Sequence, residues 1–301
     1  MGIRGVWTLF RTLFRPLDAV NPDETPLRIG IDMFSLVYTH RSQLSEFINL
    51  LLSWSAKGHT LICVWDGTAP EEKKEIIGQR RLNRNSALET KKELETYLKT
   101  YGSELTEQDI RHLKKAIESL EWQGWHLNAA HKAEIKEQLG PSVSHIIAKG
   151  EADDILINLE HSKEIDVVMT LDSDLFAMGC PRLWRLLSIR RQWVVEEICI
   201  EAVCANWGIS LGTLQDACFL AGWDRCHLKN LVPMSFETAI HRMKQYGSVR
   251  HILEKFCSEL TVEEECFSRL NVLKEDSKAR WIERRSMNAQ AQAVASLRLR
   301  P

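Results

Sequence analysis

Seven acidic residues stand where carboxylates could do chemistry: Asp32, Asp66, Glu151, Asp153, Asp172, Asp174 and Asp224. Three of them close short apolar runs, Arg28-Ile29-Gly30-Ile31-Asp32, Leu61-Ile62-Cys63-Val64-Trp65-Asp66 and Asp166-Val167-Val168-Met169-Thr170-Leu171-Asp172. Glu151-Ala152-Asp153-Asp154 makes an acidic first turn ahead of an apolar stretch, and Asp172-Ser173-Asp174 sets two carboxylates two residues apart. Taken singly, each acid reads as well as a helix cap, a turn residue or a solvated charge. Jointly that reading weakens, because crowding like charges without a cation is costly. Oxygen-rich sites suit hard divalent ions, and Mg²⁺ binds through a few carboxylates, waters and substrate phosphates. Two such ions about 3.5–4 Å apart activate a water and stabilise the leaving oxygen of an in-line displacement. No His or Cys cluster competes for a metal: the eight cysteines are scattered, without a CxxC pair, and read as buried reduced thiols. The pattern points to metal-assisted phosphodiester hydrolysis.

The elements that must position these acids follow from the same runs. Continuous apolar stretches read as central strands of a parallel sheet buried on both faces. Helical stretches lie between them, for example 43–56 and 110–120, so the expected fold is a doubly wound α/β core. Ligands bind at the carboxyl ends of such strands, which would bring Asp32, Asp66 and Asp172 to one place. The segment from Glu71 to Leu139 differs: it is rich in Lys, Glu, Gln and Leu, preceded by Pro70 and followed by Gly140-Pro141. It predicts a helical insertion standing off the sheet, although a solvated helical hairpin would look the same. Helical patterns resume around 213–224 and 236–246, either side of a turn at Leu231-Val232-Pro233, and from Lys274 the chain is polar and basic. The expected divisions are a nuclease region over 1–70, the insertion over 71–140, a second nuclease region over 141–210, a helix–two-turn–helix-like region over 211–256 and a C-terminal helix and tail over 257–301.

Composition bounds the alternatives. The 301 residues are 44% apolar and 27% charged, and 39 Lys and Arg against 41 Asp and Glu give a net charge of −2. A nucleic-acid enzyme usually carries a basic footprint, but a many-carboxylate site would itself lower the count and leave basic patches elsewhere. No apolar run reaches the roughly 18 to 20 residues that span a bilayer, so no membrane role is expected. The apolar, basic start Met1 to Pro16 fits neither a transit peptide nor a myristoylation motif, which would want Ser or Thr where Val6 stands.

The motifs, taken in order, resemble those of the flap endonuclease or XPG-type family of structure-specific 5′ nucleases. Met1-Gly2-Ile3-Arg4-Gly5-Val6-Trp7 is similar to the family's opening, and Gly30-Ile31-Asp32 through Tyr38 to its first motif. Asp66-Gly67-Thr68-Ala69-Pro70 resembles Asp-Gly-x-x-Pro, and Glu151-Ala152-Asp153-Asp154 resembles Glu-Ala-Glu-Ala. Asp172-Ser173-Asp174 resembles Asp-x-Asp, and Leu220-Ala221-Gly222-Trp223-Asp224 resembles Leu-x-Gly-x-Asp. The match is collinear from Met1 to about Leu253. It implies a PIN-like nuclease core with a helical arch, and a helix–two-turn–helix after Asp224. Glu151, Asp153, Asp172 and Asp174 would hold two Mg²⁺ ions directly, Mn²⁺ being able to substitute, with Asp32, Asp66 and Asp224 completing the cluster. The arch residues Lys73 and Arg80 would set positive charge against the scissile phosphate, and Tyr38 would offer a ring to the 5′-terminal base. Gly2, Arg81, Arg84, Lys229 and Asn230 are the further candidate contacts to nucleic acid. Arg81 and Arg84, with Lys91 and Lys92, read equally as solvated helix face.

The sequence departs from the family at Lys229-Asn230-Leu231-Val232-Pro233, where Gly-x-Gly-Pro is the pattern; those glycines permit close approach to DNA phosphates and a monovalent ion. Asp153 also shortens one ligand arm by a methylene, and the clamp-docking peptide and lysine-rich nuclear signal are missing. The resemblance therefore implies a short, divergent, monomeric and intracellular nuclease, nuclear or cytoplasmic, or working in a viral factory. It would cut DNA at 5′ flaps, at junctions or from free 5′ ends. The alternatives are a ribonuclease of the same fold and a catalytically inactive nucleic-acid-binding scaffold.

Overall fold

The apolar runs become strands. In the computed structural model, which describes residues 3, 5–19, 22–23, 25–69, 73–223, 234–256, 271–272 and 274–275, one seven-stranded sheet forms. Its strands are β1 (Arg15–Leu17), β2 (Arg28–Asp32), β3 (Thr60–Trp65), β4 (Ser144–Ile147), β5 (Val167–Met169), β6 (Arg182–Ile189) and β7 (Gln192–Cys199). Their spatial order is β1-β7-β6-β5-β2-β3-β4. The pairs β2–β3, β3–β4, β2–β5 and β5–β6 are parallel. At one edge β7 runs antiparallel to β6, and β1 antiparallel to β7, so the sheet is mixed rather than wholly parallel. From β2 the chain winds one way through β3 and β4, then the other way through β5 and β6. That reversal is the switch point at which open α/β sheets bind ligands.

Side chains alternate across the sheet and each set is buried. Ile29, Ile31, Leu61, Cys63, Trp65, Val167 and Met169 pack on one face with α2 (Met33–His40), α3 (Leu44–Ala56) and α6 (Ala129–Leu139). On the other, Val64, Val168 and Leu183 meet α1 (Val6–Leu9), α7 (Ala152–His161), α8 (Asp174–Ala177), α9 (Ile200–Trp207), α10 (Leu211–Leu220), α11 (Phe236–Tyr246) and α12 (Val249–Phe256). Gly30 faces α7. A Cβ there would stand 2.5 Å from Ile165 Cδ1 and 2.9 Å from Leu156 Cδ2, so the missing side chain lets α7 lie close on the strand that ends in Asp32.

The charged segment is helical, as expected. α4 (Lys74–Tyr101) has 28 residues, about 42 Å at 1.5 Å per residue, and α5 (Glu107–Gly124) returns antiparallel to it. Leu88 packs where a Cβ on Gly124 would stand, and Lys91 pairs with Glu121 across the hairpin at 3.3 Å. Ala87 is the one buried residue of α4, which is why the sequence shows little apolar periodicity there. Helix α6 differs: capped by Asn128, it buries Ile135 and Leu139 against the core. The protruding part of the 71–140 segment is thus the α4–α5 hairpin.

Candidate active site

Asp32 ends β2 and caps α2: its Oδ1 accepts the Ser35 amide at 3.1 Å, and its Oδ2 accepts the Thr170 hydroxyl at 2.7 Å. The Thr170 hydroxyl also accepts the Asp172 amide at 3.0 Å, and Asp172 Oδ1 accepts the Asp174 amide at 3.3 Å. One buried threonine therefore fixes the ends of β2 and β5 relative to each other. Burial raises the Asp32 carboxyl to about 7; the Thr170 hydrogen bond opposes this, while the charges of Asp66 and Asp172 push the same way as burial. Asp32, Asp66 and Asp172, at the ends of three neighbouring strands, share one electrostatic environment, as the sequence predicts.

Backbone contacts bring Glu151 to this group. The ladder between β3 and β4 continues beyond the strands, with Ala148 N donating to Trp65 O at 2.9 Å, Gly67 N to Gly150 O at 2.8 Å and Thr68 N to Lys149 O at 3.1 Å. It ends where Ala152 N, in the first turn of α7, donates to Asp66 Oδ1 at 2.7 Å. A Cβ on Gly67 would stand 1.9 Å from Ala148 O, so only glycine lets the two segments lie flush. Asp66 is raised by burial and further by the Glu151 charge, against the Ala152 hydrogen bond and the charges of Lys132 and Lys73. Asp153 is half-buried in the first turn of α7, and Asp174 is buried at the start of α8. Asp224, Lys229, Asn230 and Gly2 lie outside the described residues.

The basic candidates divide. Lys73, just ahead of α4, forms an ion pair with Glu151, which brings the base of the hairpin to the carboxylates. Arg80 and Arg81 are exposed on α4, and Arg84 is half-buried. Tyr38 is held more tightly than the stacking role implies: its ring sits 4.6 Å from Phe34 and 5.2 Å from Trp125 between centroids. Its hydroxyl lies 3.1 Å from His126 Nδ1 and accepts the Leu127 amide at 3.3 Å. The sequence reading did not find Ser35, Thr170 or Ser173. Ser173 Oγ accepts the Ile3 amide at 2.6 Å, and Trp7 Nε1 donates to Leu171 O at 3.1 Å, so the N-terminal segment braces the loop bearing Asp172 and Asp174. For Ser35 and Thr170 the signal was available: each is a small hydroxyl residue two or three positions from an acid, a spacing at which side chains bond nearby backbone and acidic groups.

Among the described residues, no three carboxylate, imidazole or thiol groups surround one point as a finished metal cage. The carboxylates are instead turned to protein donors, namely Thr170, Ser35, Ala152, Asp174 and Lys73. The donor set nevertheless fits a hard divalent cation: it is all oxygen and gathered at the switch point. Asp32 also sits close enough to Asp66 and Asp172 for their charges to raise it.

Known proteins resemble this chain in part of its sequence and in its fold. Residues 142–224 match the XPG I-region model. Flap endonuclease 1-B of Sorghum bicolor is 24% identical over 216 residues, 71% of this chain and 47% of the relative; the chain spans about half the length of the curated relatives it matches. The catalytic core of Rad2 in complex with DNA substrate superposes with a TM-score of 0.58 at 16% identity, covering 94% of this chain and 79% of that one. The Holliday junction-resolving enzyme GEN1, in complex with product DNA and Mg²⁺, gives 0.53 at 14%, covering 89% and 55%. The chain thus shares the fold of these nuclease structures, and its residues 142–224 are similar to the XPG I-region.

Proposed function

From an XPG I-region carried on a PIN-like nuclease core, we propose that this protein is a divalent-metal-dependent, structure-specific 5′ nuclease. It hydrolyses phosphodiester bonds of DNA at 5′ flaps and junctions or from 5′ ends. The observation that carries the reading is the gathering of Asp32, Asp66 and Asp172 at three adjacent strand ends, with Glu151 drawn in by the Gly67 ladder.

Glu151, Asp153, Asp172 and Asp174 would hold Mg²⁺, with Asp32, Asp66 and Asp224 completing the cluster. When bound, the metal supplies charge neutralisation and an activated water for in-line displacement. The protein's own part is positioning. Thr170 ties Asp32 to Asp172, the Gly67 ladder ties Asp66 to α7, and Ser173 braces the Asp172–Asp174 loop on the N-terminal segment. Lys73 lies on the Glu151 carboxylate, where a cation can pass to an incoming phosphate and stabilise charge as it develops. Arg80, one to two turns along α4, adds a second cation on the hairpin side. The α4–α5 hairpin serves as the arch, and the region after Leu211 as the duplex-binding module.

The test is cleavage of end-labelled 5′-flap DNA, with matched single-stranded DNA and flap RNA, in Mg²⁺ and in EDTA. Cutting at the flap junction only in Mg²⁺ is expected. Asp172→Asn should lower the rate ~10²-fold or more, several kcal/mol of lost transition-state stabilisation. Unchanged cleavage by that variant would refute the site. Cutting of RNA alone would replace DNA as substrate, and no cutting of any substrate would favour the scaffold reading.

A further inference from the structure

The N-terminal segment and the loop that carries Asp172 and Asp174 meet at three successive points. Trp7 Nε1 donates to Leu171 O ahead of the two acids, and the Ile3 amide donates to Ser173 Oγ between them. Beyond them, Trp7 meets the Phe176 ring edge-on at 6.1 Å. What holds Trp7 itself comes from the sheet. Arg185, on β6, places its guanidinium carbon 5.0 Å from the Trp7 ring centre and 4.7 Å from that of Phe14. The two rings stand 5.9 Å apart, so cation and rings close a triangle. Arg185 directly follows Trp184, whose carbonyl accepts the Thr170 amide at 3.0 Å. The triangle is thus anchored beside the end of β5, where the loop begins.

This is an unfavourable place for a cation. The Arg185 side chain is only 16% exposed, and Leu183, two residues earlier on the same face of β6, is fully buried. Its Nη1 lies 3.5 Å from Glu196 on β7, and its Nε has no hydrogen-bond partner among the described residues. For packing alone a methionine would serve as well, without the cost of desolvating a charge. What an arginine adds is a planar cation that lies against aromatic rings. We propose that Arg185 is a positioning residue for the metal site. By fixing Trp7 it fixes Leu171 O, and thereby the direction in which Asp172 and Asp174 present their carboxylates. The inference rests on the nuclease reading and deepens it, since it names a residue outside the acidic motifs on which divalent-ion affinity depends. Groups that orient ligands without touching the ion commonly control affinity in this way.

Calorimetric titration with Mn²⁺ alone, in the absence of DNA, reads metal affinity apart from cleavage. The proteins would be wild type, Arg185→Met, Trp7→Phe, their double variant and Arg28→Met. Trp7→Phe keeps a ring but removes the donor to Leu171 O. Arg28→Met controls for a merely structural loss, because Arg28 pairs with Asp166 at 2.6 Å at the ends of β2 and β5 far from the carboxylates. Arg185→Met should raise the Mn²⁺ Kd about tenfold, and Trp7→Phe should do the same. The double variant should be no worse than either, because both changes break one chain of contacts. Arg28→Met should melt earlier than wild type yet keep its Kd within about twofold. Should Arg185→Met fail to fold, Arg185→Lys, which keeps the charge without the planar group, carries the same expectation. An unchanged Kd in the Arg185 variant, losses that multiply in the double variant, or an equal loss in Arg28→Met would overturn the inference and leave the metal reading intact. No Mn²⁺ binding by wild type would remove the metal reading, and this inference with it.

Discussion

Gly67 decides how near Glu151 comes to Asp66. Its amide donates to Gly150 O at 2.8 Å, and the atom that a Cβ would strike, Ala148 O, is backbone within the same ladder. That oxygen cannot swing aside as a flexible side chain would, so Gly67→Ala must part the two segments. The expected outcome is a loss of stability of about 1–3 kcal/mol together with a fall in cleavage of at least tenfold, since small displacements at a reacting centre are costly in rate. Urea unfolding and single-turnover cleavage read the two effects. Stability and rate both within twofold of wild type would show that the glycine is not what holds the site together. Thr170 is a comparable single point, because one hydroxyl donates to the Asp32 carboxylate and accepts the Asp172 amide.

The antiparallel edge of the sheet depends on one buried acid. Glu197 on β7 accepts Trp184 Nε1 at 2.8 Å, pairs with Arg182 on β6, and accepts Arg15 on β1 at 2.7 Å. Burial pushes this carboxyl up, but the bonds from Trp184 and Arg182 and the nearby charges outweigh it, so the folded pKa lies below the usual value. A depressed carboxyl contributes stability that is fully present above its unfolded pKa, near 4.5, and is lost as pH falls through the folded value. Glu197→Gln should therefore cost about 2 kcal/mol at pH 7, leaving the half-buried Arg182 with Asp23, at 3.4 Å, as its remaining anion. That difference should shrink as pH drops below about 4.5. Chemical denaturation of both proteins across pH 3.5–7.5 measures this, and a cost that does not change with pH would mean that charge plays no part.

For the whole molecule, a net charge of −2 conceals an uneven distribution. Carboxylates gather at the switch point, and beside them Lys73 pairs with Glu151 while Lys132 reaches the Asp66 carbonyl oxygen at 3.2 Å, so opposite charges adjoin at the base of the hairpin. Binding a divalent cation to the first group should stabilise the fold by mass action, about 2.7 kcal/mol when the ion is present at a hundred times its Kd. Thermal unfolding in Mg²⁺ and in EDTA should therefore differ for wild type, and much less for Asp172→Asn. Superimposable wild-type curves in the two conditions would mean that no divalent ion binds the folded state under those conditions.

What the sequence by itself determined were the strands that end in Asp32, Asp66 and Asp172 and their convergence, because buried parallel strands need unbroken apolar runs and sheets of this kind bind at their carboxyl ends. It also determined, from composition alone, the helical character of the segment from Glu71 to Leu139, within which the structure places α4, α5 and α6. Local pattern could not show β4, whose Ser144-His145-Ile146-Ile147 is half polar, or the β6–β7 hairpin, whose turn residues Arg190 and Arg191 take positive φ (51° and 64°) without the usual glycine or asparagine. Nor could it show that α6 returns to the core, since its polar stretch carries only Ile135 and Leu139 as deeply buried anchors. The links that bind the site, from Thr170 to Asp32 and from Ser173 to Ile3, span 138 and 170 residues. A hydroxyl's partner at such separation is chosen by the packing of whole strands and helices, and that is settled only in the folded chain.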